Sequence, residues 1–216
     1  FKLERQGASV SDVASGNTLT ITEATSVGDD MYCVYLGKSI QTVNPPNASV
    51  GNAQLFSGFK NGITELDQWN LTANTNTGSN ADVTSNWSRV SENGWGKIGT
   101  GLTESSGIFS FSQTGIFRID FRAIFRGSTN DTAHKFQLFI TLDNSSYDLK
   151  AQAIGGNIDG SIQGNSASSN VFFFDVTNTS LCKFKFVTAS FDGSTYLEGS
   201  STDIRTSFAM MRIGDT

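Results

Sequence analysis

A chain of 216 residues with 15 Lys and Arg against 20 Asp and Glu carries a formal charge of −5. No Lys/Arg cluster stands out of that balance, which excludes the basic stripe a nucleic-acid partner needs. Only 16% of the residues are charged, 17 are Phe and 2 are Pro, and the rest is dominated by Ser, Thr, Asn and Gly. That mixture favours strands and turns over helices. No apolar run approaches the ~20 residues of a membrane-spanning helix, and no basic segment followed by an apolar one opens the chain as a signal peptide would.

Strand signals begin early. Thr18-Leu19-Thr20-Ile21-Thr22 alternates, and Met31-Tyr32-Cys33-Val34-Tyr35-Leu36 follows the turn Gly28-Asp29-Asp30. Ser39 to Val43 can pair back as a further short strand, and Pro45-Pro46-Asn47 stops it, because proline cannot donate to a ladder. Residues 1–50 therefore read as a small β module, too small to stand alone and expected to lean on a partner chain or on the rest of the chain. Residues 51–68 are weakly patterned and read as a linker, with a helical turn or two as the alternative at Asn52–Phe56 and Ile63–Leu66.

From 69 to 216 the alternation is sustained. Phe117, Ile119, Phe121, Ala123 and Phe125 share one face of Gly115–Arg126, with Arg118, Asp120, Arg122 and Arg126 on the other. Only a period of two does this, so the segment is a half-buried antiparallel strand. Phe136, Leu138, Ile140 and Leu142 repeat the pattern, as do Phe172, Phe174 and Val176, and Cys182, Phe184 and Phe186; Ser207–Ile213 closes the series. Strands without helices between them predict an all-β chain whose small N-terminal module precedes an antiparallel jelly-roll β-sandwich. No repeat of solenoid length is present, which excludes a β-helix.

Catalytic and metal-binding patterns are sparse. The single histidine, His134, lies in Asn130-Asp131-Thr132-Ala133-His134-Lys135, a polar loop where a solvated side chain is expected. Asp143/Asp148 and Glu198/Asp203 are close enough in sequence to flank one loop, but turn-capping explains them more simply than the paired acids of a glycosidase. Hard oxygen ligands for calcium gather at Asp29-Asp30 and around Asp143 without an EF-hand spacing. Catalytic residues, a metal and a cofactor are all therefore expected to be absent. Cys33 and Cys182 stand in strand-like contexts and read as buried thiols, with a bridge between them as the alternative. The six Asn-x-Ser/Thr triplets are expected by chance in so Asn-rich a chain.

Gly155-Gly156-Asn157-Ile158-Asp159-Gly160 reads as a surface recognition loop. Trp69 and Trp87 are assigned to the core. Trp95, in the turn Asn93-Gly94-Trp95-Gly96, is the one tryptophan expected to contact a ligand.

Lys97-Ile98-Gly99-Thr100-Gly101-Leu102, followed by Ser105-Ser106-Gly107-Ile108-Phe109-Ser110-Phe111-Ser112-Gln113-Thr114-Gly115-Ile116-Phe117, resembles the C-terminal heads of tail-fibre-like proteins of marine bacteriophages, especially those infecting cyanobacteria. Trp69-Asn70-Leu71-Thr72 and Asn86-Trp87-Ser88-Arg89-Val90 fit the same pattern, and Gly28–Gly37 with Pro45–Val50 resembles the small β module that precedes such heads. More distantly, Gly107–Phe117 and Thr206-Ser207-Phe208-Ala209 are similar to the jelly roll of the tumour-necrosis-factor and complement superfamily, with Phe117 where Tyr is usual. The resemblance implies a homotrimeric virion protein, made in a host bacterium, that contacts other virion proteins and a host-surface glycan or receptor, or decorates the capsid. It is then not an enzyme and inserts in no membrane. Phe117, Phe121, Phe208 and Met210 are the expected trimer-interface residues. A polysaccharide-depolymerase head and a secreted cytokine-like or complement-like trimer are the alternative functions.

Overall fold

The computed structural model describes residues 62–216 except 76–77, 91–93, 129, 157 and 160–163, and, before them, 2–5, 13–15, 18–20, 27 and 31–34. By internal contacts the chain divides into two units, Phe1–Ser57 and Gly58–Thr216. In the first unit, β1 (Lys2–Arg5) pairs antiparallel with β4 (Met31–Val34), and β2 (Val13–Ser15) with β3 (Thr18–Thr20). The strands expected at Thr18 and Met31 are thus present. The strand expected over 39–43 and its proline stop lie outside the described residues, as do Cys33's side chain and Asp29-Asp30.

The second unit is a sandwich of two antiparallel sheets, with no helix among its described residues. One sheet orders β13 (Asn165–Val176), β10 (Gly115–Arg126), β16 (Ser207–Gly214), β5 (Leu66–Leu71) and β7 (Trp87–Arg89), with β15 (Tyr196–Leu197) pairing the end of β10. The other orders β12 (Asp148–Ile154), β11 (Lys135–Thr141), β14 (Lys183–Ala189), β9 (Ile108–Ser110) and β8 (Thr103–Ser105), with β6 (Ala81–Asp82) beside β14. The pairs β5/β16, β9/β14, β10/β13 and β11/β12 nest one inside the next. That nesting is the jelly roll, one long hairpin folded over on itself.

Alternation determines which side chains enter the core. On β10 the burial pattern switches at every residue from Gly115 to Arg126, as a strand with one face against a partner sheet requires. Phe109 sits at the centre. Its ring meets Phe208 at 4.7 Å, Phe184 at 5.1 Å, Trp69 at 5.3 Å and Trp87 at 5.6 Å, mostly edge to face. Such pairs add about 0.5–1.5 kcal/mol each beyond area burial. The Ser106-Gly107 pair that joins β8 to β9 has φ of 51° and 81°, the two positive values of a type I′ hairpin turn. A side chain at Gly107 would also run into the Val83 carbonyl. The Ser-Ser-Gly of the sequence motif is that turn.

Three expectations need correction. Leu66 opens strand β5 rather than ending a helical turn. The strand was hidden because Glu65 and Asp67, which face inward and are buried, break the apolar alternation. His134 is fully buried, not solvated. Phe117, Phe121, Phe208 and Met210 each lie about 1% exposed between the two sheets of a single copy. Their burial is complete without a partner chain, because they project from the inward face of β10 and β16.

Candidate functional site

Two surface features of the sheet that holds β10 remain once the core is accounted for. The first is its outer face. Cross-strand pairing sets Phe173, Arg118, Met211 and Leu66 in one row, which Ile98 extends through a bridge to Leu66. The next row holds Val171, Asp120, Ala209 and Gln68. Phe173 is 56% exposed; Val171, two residues before it on the same face, and Ile98, at the far end of its row, are exposed too. Arg118 and Asp120 pair at 2.8 Å in the middle of this apolar ground. A broad hollow of about 570 Å³ lies over Gln68, Asp120, Arg122, Ser169 and Ala209.

The second feature lies at the β7 edge of the same sheet, in the polar row Ser169, Arg122, Ser207, Asn70 and Ser88. There Trp95, 43% exposed, borders a shallow hollow of about 80 Å³. Ser88, Arg89 and Val90 form one wall, and the segment 200–204 forms the other. Asn70 holds that segment in place. Its side-chain nitrogen donates to the Ser200 carbonyl at 2.7 Å, and its oxygen accepts from the Arg205 backbone N–H at 3.3 Å. Asp203 accepts from Ser200 Oγ and from Arg205 Nε at 3.0 Å. Bonds from Ser200 and then Arg205 hold its carboxyl below the usual carboxylate range.

Arg89 is anchored from beneath. Its Nε donates to Asp67 Oδ1 at 2.8 Å and its Nη2 to Asp67 Oδ2 at 3.0 Å, while its guanidinium stacks 4.8 Å above the Trp69 ring. Asp67 also accepts from Trp69 Nε1 at 3.0 Å and Leu102 N–H at 2.9 Å. Glu65 accepts from the Thr100 and Gly101 N–H groups, at 3.1 and 2.6 Å, and from Gln113 at 2.9 Å. Residues 97–102 therefore wrap two buried carboxylates, one of which fixes the Arg89 wall. The sequence singled out this glycine-bearing segment as a motif and Trp95 as a contact residue. Asn70, Arg89 and 200–204 were missed, because register and a distant loop bring them together.

The remaining acids have structural partners. Asp143 accepts from Ser145 and Ser146 N–H, each at 2.8 Å, and its Oδ1 lies 2.8 Å from Thr141 Oγ1. Those bonds, led by Ser146 and Ser145, pull its pKa down to about 2, as befits the cap of the turn after β11. Glu198 pairs with Arg205 and, at 3.2 Å, with Arg126. Asp131 accepts from Thr195 Oγ1 at 2.6 Å and Asp192 N–H at 3.1 Å, while His134 Nδ1 lies 3.6 Å away. Among the described residues no group of three His, Cys, Asp or Glu could hold a metal. Cys182 is a buried free thiol.

No family model and no curated protein matches this sequence. Solved structures share its architecture. Murine APRIL at pH 8.5 is similar at 12% identity and a TM-score of 0.48, covering 69% of this chain and 98% of that one. Eiger TNF from S. frugiperda is similar at 9% identity and a TM-score of 0.49, over 71% and 95%. PRD1 vertex protein P5 is similar at 16% identity and a TM-score of 0.45, over 71% and 100%. Identities this low carry no function from those proteins to this chain, whose own strand order makes it an all-β jelly roll.

Proposed function

We propose that the chain is a homotrimeric structural head of a bacteriophage fibre or appendage, a virion protein that attaches to a host surface or decorates the capsid and performs no covalent chemistry. The observation that carries the reading is the outer face of the sheet that holds β10. The sandwich completes its core without these rows, yet leaves Phe173 and its same-face neighbour Val171 exposed on β13, and Ile98 exposed at the far end of Phe173's row. An apolar patch rimmed by polar residues on an otherwise closed domain marks an interaction surface. The same face of three copies, turned toward one axis, covers it in a closed ring without leaving a free edge for further growth. The motif at 97–117 supports the virion setting, and the structural roles of Asp131, Asp143, Glu198 and Asp203 support binding over catalysis.

The test joins a native mass to imaging of purified phage particles labelled with an antibody to this chain. The expected result is a species of three times 23.2 kDa and label at the tail or over the capsid. A monomer at micromolar concentration removes the assembly, and unlabelled particles remove the virion role.

A further inference from the structure

The indole of Trp95 stands in the open. No ring among the described residues packs against it, although Trp69 packs on Phe109 and Trp87 on Phe109, Phe186 and Phe208. An exposed tryptophan beside a hollow is costly to keep wet and well suited to cover a flat, partly apolar ligand. The hollow it borders has hydroxyls on both sides. Thr72 and Ser88 lie toward β7, and Ser201 and Thr202 lie on the opposing segment. Each hydroxyl has one donor and two lone pairs. Thr72 spends its donor on the Asn86 carbonyl at 3.1 Å, which leaves its lone pairs to accept.

The charges at the hollow are already matched. Arg89 is neutralised by Asp67 beneath it, and Asp203 by Arg205 beside it. A charged ligand would find no uncompensated counter-charge there, whereas the donors of a ligand of many hydroxyls meet acceptors that need not move, since Ser88 already gives its proton to the Arg89 carbonyl at 3.4 Å and Thr202 gives its own to Asp203 at 3.5 Å. Both walls are held by the backbone bonds of Asn70 and by the Asp67–Arg89 pair, so little ordering cost falls on binding. The hollow encloses only about 80 Å³, so a sugar ring would lie across its mouth, against the indole, rather than inside it.

We infer that the hollow between Trp95 and residues 200–204 is a carbohydrate site, in which a neutral pyranose lays its C–H face on the indole and hydrogen-bonds the Thr72, Ser88 and Thr202 hydroxyls and the Asp203 carboxylate. The inference deepens the host-attachment reading by giving it a ligand class, and it rests on that reading only for its biological setting. The site lies on the polar row, one row beyond Val171 and Gln68, so it is separate from the apolar rows proposed for assembly.

The test is a titration of the full chain with neutral oligosaccharides of glucose, galactose, mannose and N-acetylglucosamine, followed by saturation-transfer NMR and tryptophan fluorescence. Sialyllactose and heparin fragments serve as charged controls. At least one neutral sugar is expected to bind. Trp95→Ala should weaken it by roughly tenfold or more, the loss typical of a central aromatic contact, and Trp95→Phe should keep most of the affinity. Because the side chain sits in a surface turn, both variants should keep the wild-type circular dichroism spectrum. Binding of the charged sugars alone, no sugar bound at all, or a Trp95→Ala titration that matches wild type would each overturn the site. A native mass on the same samples separates the two proposals: a trimer that binds no sugar sinks only the site, and a monomer that binds sugar sinks only the assembly.

Discussion

Asp67 accepts from Arg89, Trp69, Leu102 and the Gln68 N–H within 3.1 Å, and its side chain is fully buried. Replacing it by Asn keeps the volume but removes the charge that compensates Arg89 and turns one acceptor into a donor. Since Arg89 is about a third exposed, water recovers part of the loss. Asp67→Asn should therefore cost on the order of 2–3 kcal/mol, below the value for a wholly buried pair, read as a lower urea midpoint with an unchanged slope. His134 offers the pH-dependent counterpart. It packs on Phe125 at 4.4 Å and against the Gly155 backbone, where an added Cβ would overlap the ring, and neither ring nitrogen has a hydrogen-bond partner. Asp131 is the one ionisable side chain facing it among the described residues; the loop 191–195 presents Phe191 and Thr195. Burial lowers the imidazole's affinity for a proton, and the nearby Asp131 carboxylate offsets this only in part. Asp131 itself is raised by burial but brought below its usual range by the bonds from Thr195, Asp192 and Ala133 and by His134. The unfolded imidazole titrates near ~6.5, so just below that pH the unfolded chain binds more protons and stability falls as pH drops. His134→Leu should flatten the loss of stability between about pH 7 and about pH 5.5, leaving the carboxylate transition further down in place. An equal loss in variant and wild type would show that His134 is not the sensor. Nothing local in the sequence reveals this burial, because Asp131, Thr132 and Lys135 around His134 are polar and what covers the ring arrives from β10 and the end of β12.

Strands were legible where one face meets the other sheet without interruption. In β10, β11, β14 and the second half of β13, Phe, Leu and Ile recur every second residue, and the inward set read from the pattern is the set found in the core, except that Phe172 is only partly buried and Leu142 lies just past the end of β11 and is exposed. The first half of β13, Asn165–Asn170, carries no apolar signal although it pairs with the core residues Phe121, Ala123 and Phe125 of β10, because it lies at the edge of the sheet with its side chains exposed or half-buried. The start of β5 failed for the opposite reason: its inward positions are carboxylates whose partners lie in the 97–102 loop, some 35 residues away. The motif in that loop was visible as a string of residues, while its purpose became visible only with the N–H groups of Gly101 and Leu102 aimed at Glu65 and Asp67. Gly101 has φ +75° and sits so close to Asp67 that a Cβ would collide with its carboxylate. Gly101→Ala should therefore loosen the whole loop, costing about 1–3 kcal/mol from the backbone conformation alone. Amide hydrogen exchange should rise at Thr100–Leu102, while the β11–β14 ladder stays protected. Uniform protection in the variant would mean that the loop is held by something other than the two acids.

On the scale of the molecule, the sequence pointed to assembly but to the wrong side of the strands. A period of two assigns residues to two faces without saying which one the chain covers by itself. Seventeen Phe looked like more than one sandwich needs, so some of the inward set was given to a partner. The two sheets consume that set, with Phe117, Phe121, Phe208 and Met210 among it, and the face left over is the alternate one. On that face Phe173 is more than half exposed in a single copy and touches no other ring among the described residues. Phe173→Glu should thus change the monomer's stability by less than about 0.5 kcal/mol, as expected for an exposed position. In an assembly the same substitution brings three carboxylates into an apolar contact beside Asp120, where burial of unpaired charge is costly. The variant should therefore run at one-third of the wild-type mass in sedimentation or light scattering, with the same far-ultraviolet circular dichroism. Val171→Glu, one row on, should act in the same direction, whereas Leu149→Glu on the opposite sheet should leave the mass alone. If Phe173→Glu keeps the wild-type mass while Leu149→Glu breaks it, the contact lies on the outer face of β12 and β11 instead, and the rows through Phe173 and Val171 must serve another partner.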